Sequence, residues 1–121
     1  MVLIRKGFYK EMQLGEDSNP SMKEYINQKI ENKELICQYL KNGYVMAACS
    51  DLVTDVIFPE NGVIGSPDEL TDGYWLWPGD LVYYVEKYNL KLDDDFIDYM
   101  RAHSWRIPKD IVIDYDNLEV K

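Results

Sequence analysis

The sequence predicts a single α+β domain, residues 1–121, with a small, mainly antiparallel sheet and about four helices. Three observations predict it. The length of 121 residues suits one domain. Short apolar runs of strand length and stripes of helical spacing occur in mixed order along the chain. Thr71 to Tyr88, TDGYWLWPGDLVYYVEKY, reads as a strand entering a helix through Pro78, and it holds two of the three Trp and four of the ten Tyr.

The elements follow in order. Val2-Leu3-Ile4 is a short apolar piece, cut off by Arg5-Lys6. Gly15 to Asn19 is a polar loop. A first helix should start at Asn19 or Ser21, because Ser21-Met22-Lys23-Glu24 fits a capping box and Met22, Tyr25, Ile26 and Ile30 form a stripe. Asn32 interrupts it. Glu34 to Lys41 is a second helix, with Leu35, Ile36, Tyr39 and Leu40 inward and Gly43 as its C-terminal cap. Tyr44 to Ala48 is a strand. Pro59-Glu60-Asn61-Gly62 is a turn, so Val56–Phe58 and Val63–Ile64 should pair as a hairpin.

Asp72-Gly73 then turns the chain into the aromatic strand. Period two puts Trp75 and Trp77 on one face and Tyr74 and Leu76 on the other, so both faces should be covered. Pro78 stops the ladder, and Asp80 brings a carboxylate to the free N–H groups at the start of a third helix. Leu81, Tyr84, Val85 and Tyr88 are its inward stripe, and Asn89 suits its end. Asp93, Asp94 and Asp95 open a last helix with Phe96, Ile97, Met100 and Trp105 inward, and Pro108 closes it. Ile111-Val112-Ile113 is a final strand candidate, and Asp114 to Lys121 is a charged tail.

Apolar residues make up 46% and charged residues 29%, a globular balance rather than a disordered one. The net charge of −9 is uneven. Residues 1–50 carry seven Lys/Arg against six Asp/Glu; residues 51–121 carry six against sixteen. Such a field repels phosphate backbones and anionic membranes and favours a basic protein partner. No apolar run approaches the ~20 residues that cross a bilayer. Two cysteines, Cys37 and Cys49, make no disulfide framework, and a cytoplasmic location is expected.

Catalytic and metal patterns are thin, and no cofactor or metal is expected. Cys37 and His103 lie on separate predicted helices without a third orienting group. Asp93, Asp94, Asp95 and Asp98 lack the spacing of a calcium loop, and the glycines precede no phosphate-binding Lys-Ser/Thr pair. An alternative site would combine Asp72, Trp75, Trp77 and Asp80, as a carboxylate pair beside a stacking platform.

The segments RKGFYKEM at Arg5 to Met12 and TDGYWLWPGDLVYYV at Thr71 to Val85, with the Asn19-Pro20-Ser21 helix start and Leu92 to Phe96, resemble a family of small, uncharacterised bacterial proteins. The resemblance brings no assigned chemistry. In size, acidity and lack of a catalytic set, the chain is also similar in type to immunity proteins of bacterial toxin systems. That likeness implies a non-enzymatic acidic binding protein that inhibits a basic toxin, with Asp93, Asp94, Asp95 and Asp98 as the partner-binding face. The alternatives are a small hydrolase or ligand-binding enzyme at Trp75, Trp77 and Asp72, and a structural or regulatory homo-oligomer subunit.

Overall fold

The computed structural model describes residues 1–121. Its elements are β1 (Val2–Arg5), α1 (Lys33–Lys41), β2 (Tyr44–Ala47), β3 (Val53–Thr54), β4 (Val63–Gly65), β5 (Glu69–Thr71), β6 (Trp75–Pro78), α2 (Leu81–Tyr88), α3 (Asp94–Ala102) and β7 (Glu119–Val120), with three 3₁₀ turns between them. The five-stranded sheet runs β2-β5-β6-β1-β7, and β3 and β4 form a separate two-stranded ribbon. This is one small mixed α and β domain with three α-helices rather than about four.

The sheet is mixed rather than mainly antiparallel. The pairs β2/β5 and β5/β6 are antiparallel, but β1 runs parallel to both β6 and β7. The apolar start of the chain lies beside the aromatic strand, and the charged tail returns to become the edge strand. Ile111–Ile113 forms no strand: Ile113 is buried but Val112 is 80% exposed. The alternation there is real, yet no neighbouring strand meets its backbone.

β6 is covered on both faces. Trp75 and Trp77 face the larger core, built with Tyr39 and Leu40 of α1, Leu81, Tyr84 and Val85 of α2, and Phe96 and Met100 of α3. Leu76 faces the other way and meets Leu3 and Phe8, under Leu14, Met46, Leu118 and Val120. Trp77 is fully enclosed. Its ring lies 5.9 Å from Tyr39 and 5.5 Å from Phe96, and its Nε1–H donates to the Leu40 carbonyl at 3.1 Å. A buried indole N–H usually finds an acceptor, and that of Trp77 does.

The missing helix has a physical reason. Only Met22–Glu24 turns, as 3₁₀. Glu11, not Glu24, accepts from the Ser21 hydroxyl and from Met22 N–H at 2.9 Å. The backbone then bonds outward: Asn27 N–H to the Tyr88 carbonyl at 2.7 Å, and Gln28 N–H to Asn89 at 3.1 Å. Partners at the end of α2 replace the i→i−4 ladder. Asn27 and Asn32 both sit at positive φ, which blocks a continuous helix.

Gly43 does not cap α1; Asn42 does, donating to the Gln38 and Tyr39 carbonyls. A Cβ at Gly43 would stand 2.6 Å from the Trp77 ring, so glycine is required there for close approach. The hairpin pairs Val53 with Gly65 and Thr54 with Val63, because residues 56–58 turn around Asp55 instead of extending. The stripe of α2 and the left-handed Asn89 at its end match the sequence reading.

Trp77→Ala is expected to cost about 3–5 kcal/mol, and Gly43→Ala about 1–3 kcal/mol through overpacking of the same ring. Urea denaturation of both variants, followed by Trp fluorescence, measures this. A Gly43→Ala variant as stable as the parent would show that the indole has room to move.

Candidate functional site

Four carboxylate clusters organise the polar chemistry, and they differ in what surrounds them. The first is the turn before β6. Asp72 is buried. Its Oδ1 accepts from the N–H groups of Tyr74 at 2.9 Å and Trp75 at 2.7 Å, and its Oδ2 accepts from the Tyr39 hydroxyl. Thr71 completes the turn, donating to the Trp75 carbonyl at 2.6 Å and accepting from Gly73 N–H at 2.9 Å. Burial and the Asp72 carboxylate together push the Tyr39 hydroxyl well above its usual range. Asp72 therefore positions the strand carrying Trp75 and Trp77. Asp80 belongs to a different surroundings, described below. Trp75 Nε1 is buried with no partner, while the Lys6 ammonium lies 5.1 Å from its ring centroid.

The second cluster is the start of α3. Asp93, Asp94, Asp95 and Asp98 are all exposed, and each is already paired within the chain. Lys6 reaches Asp93 at 2.8 Å and Asp95 at 2.9 Å, Lys91 reaches Asp94 at 2.8 Å, and Arg101 reaches Asp98 at 3.0 Å. Burial pulls the Lys6 ammonium down, but its hydrogen bonds to Asp93 and Asp95 outweigh that and raise it. The Lys91 hydrogen bond holds Asp94 below its ordinary range. Exposed pairs such as these contribute little to stability, because water screens them, so a partner's cation can displace them.

The third cluster centres on Asp55, which carries no exposed surface. Its Oδ1 accepts from Ile57 and Phe58 N–H, both at 2.8 Å. Its Oδ2 accepts from Asn61 Nδ2 at 2.9 Å and from the hydroxyls of Tyr83 at 2.8 Å and Tyr88. Burial would raise this carboxyl, but five donors lower it far below the usual range. The knot ties the β3–β4 ribbon to α2.

The fourth cluster is an open cleft of about 260 Å³ between β3 and the start of α2, lined by Glu11, Gln13, Leu52, Thr54, Val56 and Asp80 among others. Asp80 precedes α2 but makes no capping bond with its side chain, contrary to the role its position suggests. It is 5% exposed, and its Oδ1 has no hydrogen-bond partner. Burial raises its carboxyl from 3.8 to about 6. Sequence reasoning did not bring Asp80 together with Glu11, since nothing local shows that residues 52–56 fold across it.

Neither Cys37 nor His103 enters a catalytic arrangement. Cys37 is buried. His103 stacks on Tyr99, and its Nδ1 lies 2.8 Å from the Tyr99 carbonyl. No three His, Cys, Asp or Glu side chains converge on a point that could hold a metal ion. No helix is long and apolar enough to cross a membrane.

Asp55 and Asp80 predict opposite pH dependences. The folded value of Asp55 is depressed, so its contribution is present above about pH 4 and is lost as pH falls. Asp55→Asn should cost about 2 kcal/mol or more at pH 7. The folded value of Asp80 is raised, so its contribution is present below about pH 4 and is lost as pH rises through about 6. Asp80→Asn should therefore gain about 1–3 kcal/mol at pH 8 and little at pH 4. Urea denaturation at the two pH values checks the signs.

No protein-family model, no curated protein and no solved structure matches this chain.

Proposed function

We propose that this chain is a non-enzymatic acidic binding protein that inhibits a basic bacterial toxin, in the manner of an immunity protein. What supports the reading is how the surface charge is distributed. The acids at the start of α3 have their own cations. Residues 110–118, by contrast, carry Asp110, Asp114 and Asp116, none of which has a Lys or Arg within ion-pair distance. Val112 and Tyr115 alternate with them and are 80% and 59% exposed.

This segment crosses the second face of the sheet. Ile111 lies beside Gly73, and the Tyr115 hydroxyl donates to the Met46 carbonyl of β2 at 2.9 Å. The chain then returns as β7 beside β1. The result is a strap held at both ends, with Asp110, Asp116 and the Asn117-bonded Asp114 free of any Lys or Arg and two large side chains outward. Aromatic anchors flanked by unpaired charge suit a partner of opposite sign: the ring supplies buried area, and the charges steer the approach. Asp93, Asp94, Asp95 and Asp98 extend the acidic surface as exchangeable pairs. A reading as an enzyme at Asp72, Trp75 and Trp77 gains less support, because the acceptor atoms of Asp72 and the ring of Trp77 are occupied inside the fold.

The test uses a basic protein captured by the immobilised chain, with affinity measured by calorimetry. Affinity should fall roughly tenfold or more between about 50 and about 500 mM NaCl. The combined variant Asp110→Asn, Asp114→Asn, Asp116→Asn should weaken binding more than neutralising the four aspartates of α3. Salt-independent binding, or an unchanged affinity in the strap variant, would refute the reading.

A further inference from the structure

We infer that the cleft over Asp80 is a socket for one cationic side chain, a guanidinium or ammonium group presented by another protein. The first observation is an unanswered acceptor. Asp80 is 5% exposed, lines the cleft, and its Oδ1 has no partner. A buried acceptor left without a donor is costly.

The second observation is the sign of the cleft. Glu11 lines the same cleft; its two oxygens accept from the Ser21 hydroxyl and the Met22 N–H, which hold its carboxyl below the usual range against the effect of burial. Gln13 is oriented by Asp51, to which its Nε2 donates at 3.0 Å. No Lys or Arg lines this cleft. The other acidic clefts each contain their own cation: Lys33 and Lys41 beside Glu86, Lys91 and Arg101 beside Asp94, and Lys6 beside Asp93. The start of α2 is equivalent to about +0.5 charge, which is less than the carboxylates facing it. The cleft therefore selects a cation over an anion.

The third observation is size. About 260 Å³ lies below the roughly 300–1,000 Å³ of sites for drug-sized ligands. A single long side chain fits that space, its methylenes against Leu52 and Val56 and its head on Asp80, with Thr54 and Gln13 as neutral hydrogen-bonding groups. A planar guanidinium offers donors to both oxygens of a carboxylate. That the group comes from a partner protein rests on the proposed function; that the cleft takes such a group does not.

The experiment titrates the full chain with propylguanidinium chloride and follows backbone amides and the Asp80 side-chain carboxyl by NMR, with NaCl at equal ionic strength as the control. Saturable shifts are expected at Gln13, Thr54 and Val56. The Asp80 midpoint should move down from about 6 by roughly one unit or more, since a nearby cation favours the carboxylate. In Asp80→Asn the shifts at the cleft should disappear. Shifts equal to those given by NaCl, an unmoved Asp80 midpoint, or undiminished shifts in Asp80→Asn would each overturn the socket. The wild-type titration alone decides the matter should the variant not fold. A socket that fails while the captured partner still binds through the strap removes this inference and leaves the proposed function. A socket that binds the probe while no basic partner exists does the reverse.

Discussion

The enclosure of the Trp77 indole is the constraint on which the rest depends. One ring touches the sheet, α1 and α3, and its single polar atom is satisfied by the carbonyl of Leu40. Gly43 must lack a Cβ for the chain leaving α1 to pass that ring. The ring must point to the helix side, so Trp75 points there too and Leu76 points to the other face. That second face then needs a cover. The chain supplies it from both ends: the residues after β1 and the strap that leads into β7. The parallel pairs on either side of β1 follow, since the strands that close the sheet beyond β6 come from the first and last residues of the chain.

Local patterns in the sequence were legible where one element decided its own shape. The spacing of Leu81, Tyr84 and Val85 defines the buried side of α2, and Asn89 adopts the left-handed conformation its residue type permits. The two-sided burial of β6 follows from apolar residues at successive positions. Patterns failed where tertiary partners competed with the local ladder. Ser21 caps the Met22–Glu24 turn as its residue type suggests, but Glu11, ten residues before Ser21, makes the bonds in place of Glu24. Ile111–Ile113 alternates like a strand, yet no strand lies beside it. Glu119 and Val120 look like a solvated tail, yet they complete the sheet because Leu3 offers an open edge.

Charge was legible in amount but not in arrangement. The excess of sixteen acids over six bases in residues 51–121 stands in the sequence. Which acids are free does not. Asp72 and Asp55 are consumed by turns and tyrosine hydroxyls, and the run at Asp93 to Asp98 is answered by Lys6, Lys91 and Arg101. Lys6 is the instructive case, because 87 residues separate it from Asp93 and no spacing rule links them. Acids without a cation of their own include Asp110, Asp114 and Asp116 on the strap and Asp80 in the cleft between β3 and α2.

Asp55 and Asp80 show why burial alone does not settle the state of a carboxylate. Both are nearly or wholly removed from water, which disfavours charge in each. Asp55 has five donors supplied by Ile57, Phe58, Asn61, Tyr83 and Tyr88, so the anion is favoured and the ribbon is locked to α2. Asp80 lines the cleft beside β3, with one oxygen that has no partner in the chain. Two similar groups thus reach opposite ends of their range through the number of donors aimed at them.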